Sequence, residues 1–222
     1  MQESKNDLKI DWCDFKAAEY ACKNWHYSKC MPAGKTVKVG AWENGKYIGC
    51  VIFSRGANVN LGTQFGLKQD RICELTRVAL TKHNHFVSEI LAKAIKFLKS
   101  KCPDLYVIIS YADTEQNHKG GIYQATNWIY LGRTAGERYF ILNGKKTHPK
   151  SIHSKYGKGS QSLTFLKKID SSASEYHTKG KHKYAFPLNK RVKKELEKIK
   201  QEYPKRFDEG AVIRKYEKLD LN

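Results

Sequence analysis

Residues 107–132, VIISYADTEQNHKGGIYQATNWIYLG, decide the fold class. A β-branched apolar run ends in Ser110-Tyr111-Ala112-Asp113, and a polar, glycine-containing loop follows. An amphipathic helix is then expected over 121–130, with Tyr123 in its first turn. A buried strand that hands over to a loop and a helix is a unit of an α/β sheet. Loops at the carboxyl ends of such strands are where sites tend to be built. The pattern therefore sets a carboxylate, Asp113, at a strand exit and a phenol, Tyr123, on the next helix. An acid and a phenol facing one cleft can share proton transfers.

Upstream, residues 86–100 place Ile90, Leu91, Ala94, Ile95 and Leu98 on one helical face, and Pro103 closes the segment. Residues 72–81 read as a strand of imperfect alternation, with Glu74, Thr76 and Arg77 set against Cys73, Leu75 and Val78. Residues 36–54 form a hairpin around Asn44-Gly45. Residues 14–25 form a helix with Asp14 near its start, and 55–69 should be a loop. Downstream, 138–142 is a strand that ends at the Asn143-Gly144 turn. Residues 143–182 are rich in Lys, His, Gly and Ser, with short apolar islands. A last strand is expected from Lys183 to Leu188. A basic amphipathic helix is expected over 189–203, with Val192, Leu196 and Ile199 on one side.

This order predicts an α/β (α+β) fold, a central mixed sheet flanked by helices with a basic helical extension at the carboxyl end. The expected division is a catalytic domain over 1–188, carrying a basic insert at 143–182, and a basic tail over 189–222.

The formal net charge of +19, from 41 Lys and Arg against 22 Asp and Glu, implies a polyanionic partner, and nucleic acid is the commonest. The basic tracts supply Lys145, Lys146, Lys150, Lys155, Lys158, Lys179, Lys181, Lys183, Lys190 and Arg191 as candidate phosphate contacts. Histidines and tyrosines interleave with them, and aromatics can stack on exposed bases. The six cysteines stand singly with no CxxC pair, which argues against a zinc knuckle and for reduced thiols in a cytoplasmic protein. The first twelve residues lack the apolar stretch of a signal peptide, and no apolar run is long enough to span a bilayer. No membrane partner is expected.

Several residues are candidates for chemistry. His26 and Tyr27 follow the first helix, where the histidine either faces a cleft or simply ends the helix. Arg77 sits mid-strand among apolar residues and needs a partner, either a structural carboxylate or an anionic ligand. The loop KHNHFVS at 82–88 lies where a phosphate-bearing cofactor could meet a helix N-terminus, with Ser88 near its start, but it has no glycine to let a ligand close to the backbone. His26, Asp113 and His118 are a possible two-histidine, one-carboxylate metal set.

The segments WHYSK (25–29), GAWENGKYIGCVIFSRGAN (40–58), CELTRVAL (73–80) and SYADTEQNHKGGIYQATNWIYLG (110–132) together resemble the Mom family of phage DNA-modification proteins. The resemblance runs over about residues 12–190. It implies a GNAT-like fold and the conversion of adenine in double-stranded DNA to N6-carbamoylmethyladenine, which protects phage DNA from host restriction. It also implies functional roles for His26, Tyr27, Arg77, Asp113 and Tyr123. Acetyl-CoA or another carbon donor is the implied cofactor, with Val78, Leu80 and Ser88 as donor contacts, and iron is implicated for the family. Lys82 to Ser88 depart from the Gln/Arg-x-x-Gly-x-Gly/Ala pyrophosphate loop usual in GNAT acyltransferases, so the carbon donor stays open. In the implied reaction Asp113 accepts a proton from the adenine amine, Arg77 holds the donor's charge, and Tyr123 serves the leaving group. Tyr27, Tyr111 or Trp128 would stack on an extruded base. Two other readings are an N-acetyltransferase for a small molecule or protein, and a non-enzymatic DNA-binding protein on the same scaffold.

Overall fold

The computed structural model describes residues 7–56 and 60–205. The expected tail beyond 205, residues 1–6 and residues 57–59 of the 55–69 loop lie outside the described residues.

A strand that the sequence reading missed, β1 (Leu8–Trp12), opens the fold. Asp14 accepts a hydrogen bond from the Ala17 N–H and so caps α1 (Phe15–Trp25). β2 (Thr36–Glu43) and β3 (Lys46–Ser54) make the expected hairpin. Asn44 and Gly45 both take positive φ, as the two-residue turn between right-twisted strands requires. β4 (Ile72–Leu80) leads to α2 (Val87–Lys101), and β5 (Val107–Asp113) returns beside β4. Next come α3 (Gly121–Gln124) and β6 (Ile129–Arg133). The helix expected over 121–130 is thus a single turn. It stops where the Trp128 N–H bonds back to the Tyr123 carbonyl and Asn127 takes φ +58°. Ile129, Tyr130 and Leu131 are apolar without a break because both faces of β6 are covered, and a short apolar run of that kind does not tell helix from strand.

β7 (Arg138–Leu142), β8 (Lys145–Thr147), α4 (Pro149–Tyr156), α5 (Leu163–Lys167) and β9 (Ser174–His177) build a lobe. β10 (Lys181–Pro187) and α6 (Lys190–Lys198) follow. The main sheet runs β1-β2-β3-β4-β5-β10-β6. Its β4–β5 pair is parallel and every other pair antiparallel.

Alternation along β5 sets the two faces. Ile108 packs with Ile90, Leu91, Ala94, Ile95 and Leu98 of α2, whereas Val107 and Ile109 pack with Val192 and Leu196 of α6. Burying Ile90, Leu91, Ile95 and Leu98 contributes roughly 1.5–3 kcal/mol each. Packing therefore holds α2, whose N-cap Phe86 makes no side-chain cap. α1 lies on the face opposite α2, setting Ala18, Ala21 and Cys22 on Cys50, Ile52 and Ala79. The result is the expected layering, a mixed sheet flanked by helices.

One irregularity shapes everything near the site. Phe53 pairs with Leu75 and Ile52 with Arg77, so Thr76 is an extra residue on β4. Such a bulge bends its strand and sharpens its twist. Pairing between β4 and β5 ends at Leu75 and Ser110, and beyond that point the strands part.

The apolar islands of 143–182 are the makings of a second small core. Phe140, Leu142, Ile152, Leu166 and Ala173 pack together beneath a three-stranded sheet of order β8-β7-β9. Lys146 of this lobe pairs with Glu115, and the Tyr176 hydroxyl donates to Glu115 at 2.8 Å. The Lys146 ammonium lies between the rings of Tyr139 and Tyr176, at 4.6 and 4.4 Å from their centroids.

Candidate active site

The parting of β4 and β5 opens a cleft of about 570 Å³. Thr76, Arg77 and Val78 form one wall, Tyr111 and Ala112 another, and the loop 117–123 closes the end. His26 and Tyr27 reach it because α1 ends at His26, whose backbone turns extended. Gly120 brings the loop down: it takes φ +76°, and a Cβ there would lie 2.4 Å from the Tyr184 ring. Arg77, Lys119, His26 and His118 line the cleft, and among the described residues no carboxylate does.

His26 is buried, and its Nδ1 accepts from the Ser28 N–H at 3.1 Å and lies 2.8 Å from Ser28 Oγ. A nitrogen that accepts from an amide carries no hydrogen, so the neutral ring holds its proton on Nε2. Burial, followed by the charges of Arg77, His118 and Lys29, lowers its pKa to about 4. At neutral pH His26 is therefore a hydrogen-bond donor. The half-exposed Tyr27 ring stands 4.3 Å from His26 and meets His118 edge-on at 5.5 Å. Desolvation, then the charge of Asp113, raises the Tyr27 pKa.

Arg77 donates to the Thr76 carbonyl at 2.7 Å and to the Cys30 carbonyl at 3.4 Å. No carboxylate among the described residues pairs with it, so its charge is available to an anion in the cleft.

Tyr123 is buried, with its hydroxyl 2.8 Å from Ser110 Oγ. Ser110 also donates to the Leu75 carbonyl at 2.8 Å. A serine has one hydrogen to give, so at rest the phenol donates to Ser110. Burial pushes the Tyr123 pKa to about 12 and keeps the phenol protonated. The relay ends at Leu75, the last β4 residue paired with β5 before the strands part.

His26, Tyr27, Arg77 and Tyr123 thus converge, and Val78 joins them. Other candidates stand elsewhere. Asp113 lines a neighbouring cavity of about 80 Å³ with Glu115, Tyr139 and Lys146, and its Oδ1 accepts from the Glu115 N–H at 3.0 Å. It reaches the cleft through its charge on Tyr27. Leu80 packs into the main core, and Ser88 lies in the first turn of α2, outside the cleft. Trp128 is fully buried and cannot stack on a base, whereas Tyr27 and Tyr111 line the cleft.

Lys183 corrects the expected phosphate contacts. It is 1% exposed, because β10 enters the middle of the sheet rather than its edge. Its ammonium donates to Gln64 at 2.6 Å over the Phe65 ring, and burial lowers its pKa to about 7. Lys145, Lys146, Lys150, Lys155, Lys158, Lys179, Lys181, Lys190 and Arg191 are exposed.

The residues do not fit the implied metal or the usual anchoring of acetyl-CoA. Among the described residues no group of three or more His, Cys, Asp or Glu side chains is arranged to hold a metal ion, so His26, Asp113 and His118 form no ligand set. In the loop just before α2, Glu43 Oε1 accepts from the backbone N–H groups of Asn84 (2.9 Å) and His85 (3.2 Å). An anion approaching this loop would compete with that carboxylate for them.

Sequence reasoning missed Ser110, Lys119 and Glu43. The bulge at Thr76 did leave a signal, the broken alternation of 72–81.

Among the described residues no helix is long and apolar enough to cross a membrane. The chain is 23% identical over 207 residues to the protein named methylcarbamoylase Mom of Escherichia phage Mu, covering 90% of this chain and 84% of that one. Two solved structures named as acetyltransferases align with it. The one from Acinetobacter baylyi has a TM-score of 0.45 at 13% identity, covering 84% of this chain and 95% of that chain. The one from Staphylococcus epidermidis has a TM-score of 0.43 at 9% identity, covering 83% and 100%. The Mom protein family model matches residues 7–205, and the chain belongs to that family.

Proposed function

We propose that the protein modifies adenine in double-stranded DNA, transferring a carbamoylmethyl group to N6. The observation that carries this reading is the cleft: it holds cations and phenols and, among the described residues, no carboxylate, and it opens in a chain matched to the Mom family almost throughout. The name of the phage Mu relative, a methylcarbamoylase, supports the transferred group.

The target amine lies inside stacked duplex, so the base must leave the stack to reach the cleft. Tyr27, half-exposed, offers it a face. Arg77 pairs with the negative charge of the donor, and the Nε2–H of His26 donates to the negative charge that develops on the departing group. As the bond from the donor carbon to N6 forms and the bond to the departing group breaks, Tyr123 gives its proton to that group, its O–H turning from Ser110, and the phenolate so formed takes the proton released by the N6 amine. Asp113 is a positioning residue: it accepts the Glu115 N–H and so fixes the turn that leads from β5 toward the cleft-closing loop. An exocyclic amine is a poor nucleophile, so fixed charges and alignment must supply much of the rate. The exposed lysines of the lobe and of α6 hold the phosphate backbone.

The test is co-expression with a plasmid, followed by digestion and mass spectrometry of the nucleosides. A carbamoylmethyl adduct of deoxyadenosine is expected, and Arg77→Ala should abolish it. Unmodified deoxyadenosine from soluble, folded protein refutes the reading.

A further inference from the structure

The loop that runs into α2 is where a phosphate-bearing donor would meet backbone N–H groups beside the positive end of a helix. In this chain Glu43 occupies two of those groups, the N–H of Asn84 and of His85, just before the N-cap Phe86. Glu43 is the last residue of β2, held in register opposite Leu8 on one side and Lys46 on the other. Both of its carboxylate oxygens are used. Oε1 receives the Asn84 and His85 N–H groups, and Oε2 receives the Asn84 side-chain amide at 3.0 Å. The His85 ring adds a nitrogen 3.9 Å from Oε1. Glu43 is only 9% exposed, so this is a built contact in the interior of the loop. No glycine lies between Lys82 and Ser88 to let a diphosphate come close to the backbone. An incoming pyrophosphate would have to displace a carboxylate already bonded there and would meet its charge at close range.

The cleft between β4 and β5 has the opposite character. Its volume suits a small molecule, and its Arg77 guanidinium has no carboxylate partner among the described residues. We propose that Glu43 stands in for a donor pyrophosphate at α2, so that the transferred group comes from a compact anionic donor held wholly in the cleft and not from a coenzyme A thioester. This inference rests on the transferase reading above and narrows it to a donor class.

Two measurements test it separately from that reading. The first is calorimetry of the full chain with acetyl-CoA and with ADP, together with hydrogen exchange at the Asn84 and His85 amides. The expected result is no saturable binding tighter than about 1 mM and no change in amide protection. Saturable micromolar binding of acetyl-CoA that ADP competes away, with new protection at 84–88, overturns the proposal. Glu43→Gln, which keeps the shape and removes the charge, should raise nucleotide affinity over wild type; unchanged or weaker nucleotide binding in folded Glu43→Gln protein overturns it. Should that variant fail to fold, the wild-type exchange data decide. The second is DNA modification supported by a small-molecule cell extract depleted of nucleotides on charcoal. Retained modification supports the compact donor. Loss that acetyl-CoA alone restores overturns it. Failure of both the complete and the depleted extract removes the transferase reading instead, and the binding data then still decide whether the α2 loop accepts a pyrophosphate.

Discussion

Tyr123→Phe separates the chemistry of the cleft from its architecture. The substitution deletes one oxygen and keeps the ring, which packs 5.0 Å from Trp128 and 5.1 Å from Tyr184. One buried hydrogen bond is lost, the 2.8 Å contact to Ser110. Ser110 is not orphaned, because it still donates to the Leu75 carbonyl. The cost in stability is therefore about 1 kcal/mol, and a chain of this size should melt roughly 2–4 °C lower. If the phenol supplies a proton in the transition state, its removal should slow the reaction by about 10²–10⁴, or roughly 3–5 kcal/mol of barrier. The second effect exceeds the first several-fold, so the two cannot be confused. The assay pairs a thermal melt with the modified fraction of deoxyadenosine in co-expressed plasmid at matched soluble protein. A small drop in melting temperature with near-wild-type modification would show that Tyr123 is a core phenol and would refute its chemical role.

Other outcomes follow from neighbouring residues. His26 titrates at about 4 in the folded protein against 6.5 when free, so on acidification the unfolded chain takes up the proton first. Its stabilising contribution is whole above pH 6.5 and is lost as pH falls through 4; the gap is worth about 3 kcal/mol at most, and denaturant titrations of His26→Gln should show a flatter stability profile across that window. Replacing exposed Lys145, Lys150, Lys155 and Lys158 by alanine should lower the slope of log affinity against log salt by about 0.9 for each phosphate contact removed, read by fluorescence anisotropy with duplex DNA. Lys183→Met should instead leave that slope unchanged, since its amine is enclosed; a change equal to that of the surface lysines would contradict the burial described. Lys146→Ala should speed hydrogen exchange in β7 and β9 while leaving β5 protected, because it removes one of the contacts that tie the lobe to Glu115, the Tyr176 hydroxyl being another.

Much of the fold could be read along the chain, for physical reasons that also explain the failures. α1, α2 and the β2–β3 hairpin each carry a local cause, a cap, an apolar face or an Asn-Gly turn, and each appears where expected. β6 was misread because a strand covered on both sides has no alternation to display. The lobe was missed because its core draws Phe140, Ile152 and Leu166 from three short elements, none with a full period of its own. At the site, residue type pointed to His26, Tyr27, Arg77 and Tyr123, which do meet. Asp113 differs because its direction depends on the turn after β5, where its oxygen caps the next residues. Whether a side chain at a strand end faces forward or folds back onto its own loop is set by backbone torsions that residue identity does not specify.

The late position of β10 has a consequence for how the molecule is made. It enters between β5 and β6, although both precede it in the chain and the whole lobe is synthesised in between. Until residue 187 is available, β5 and β6 each present a bare row of amides and carbonyls toward a gap in the middle of the sheet. Tyr184, the ring against which Gly120 sets the cleft-closing loop, arrives only with that final insertion. The cleft therefore cannot be completed before β10 is in place, and a chain ended ahead of it would carry two bare strand edges prone to self-association.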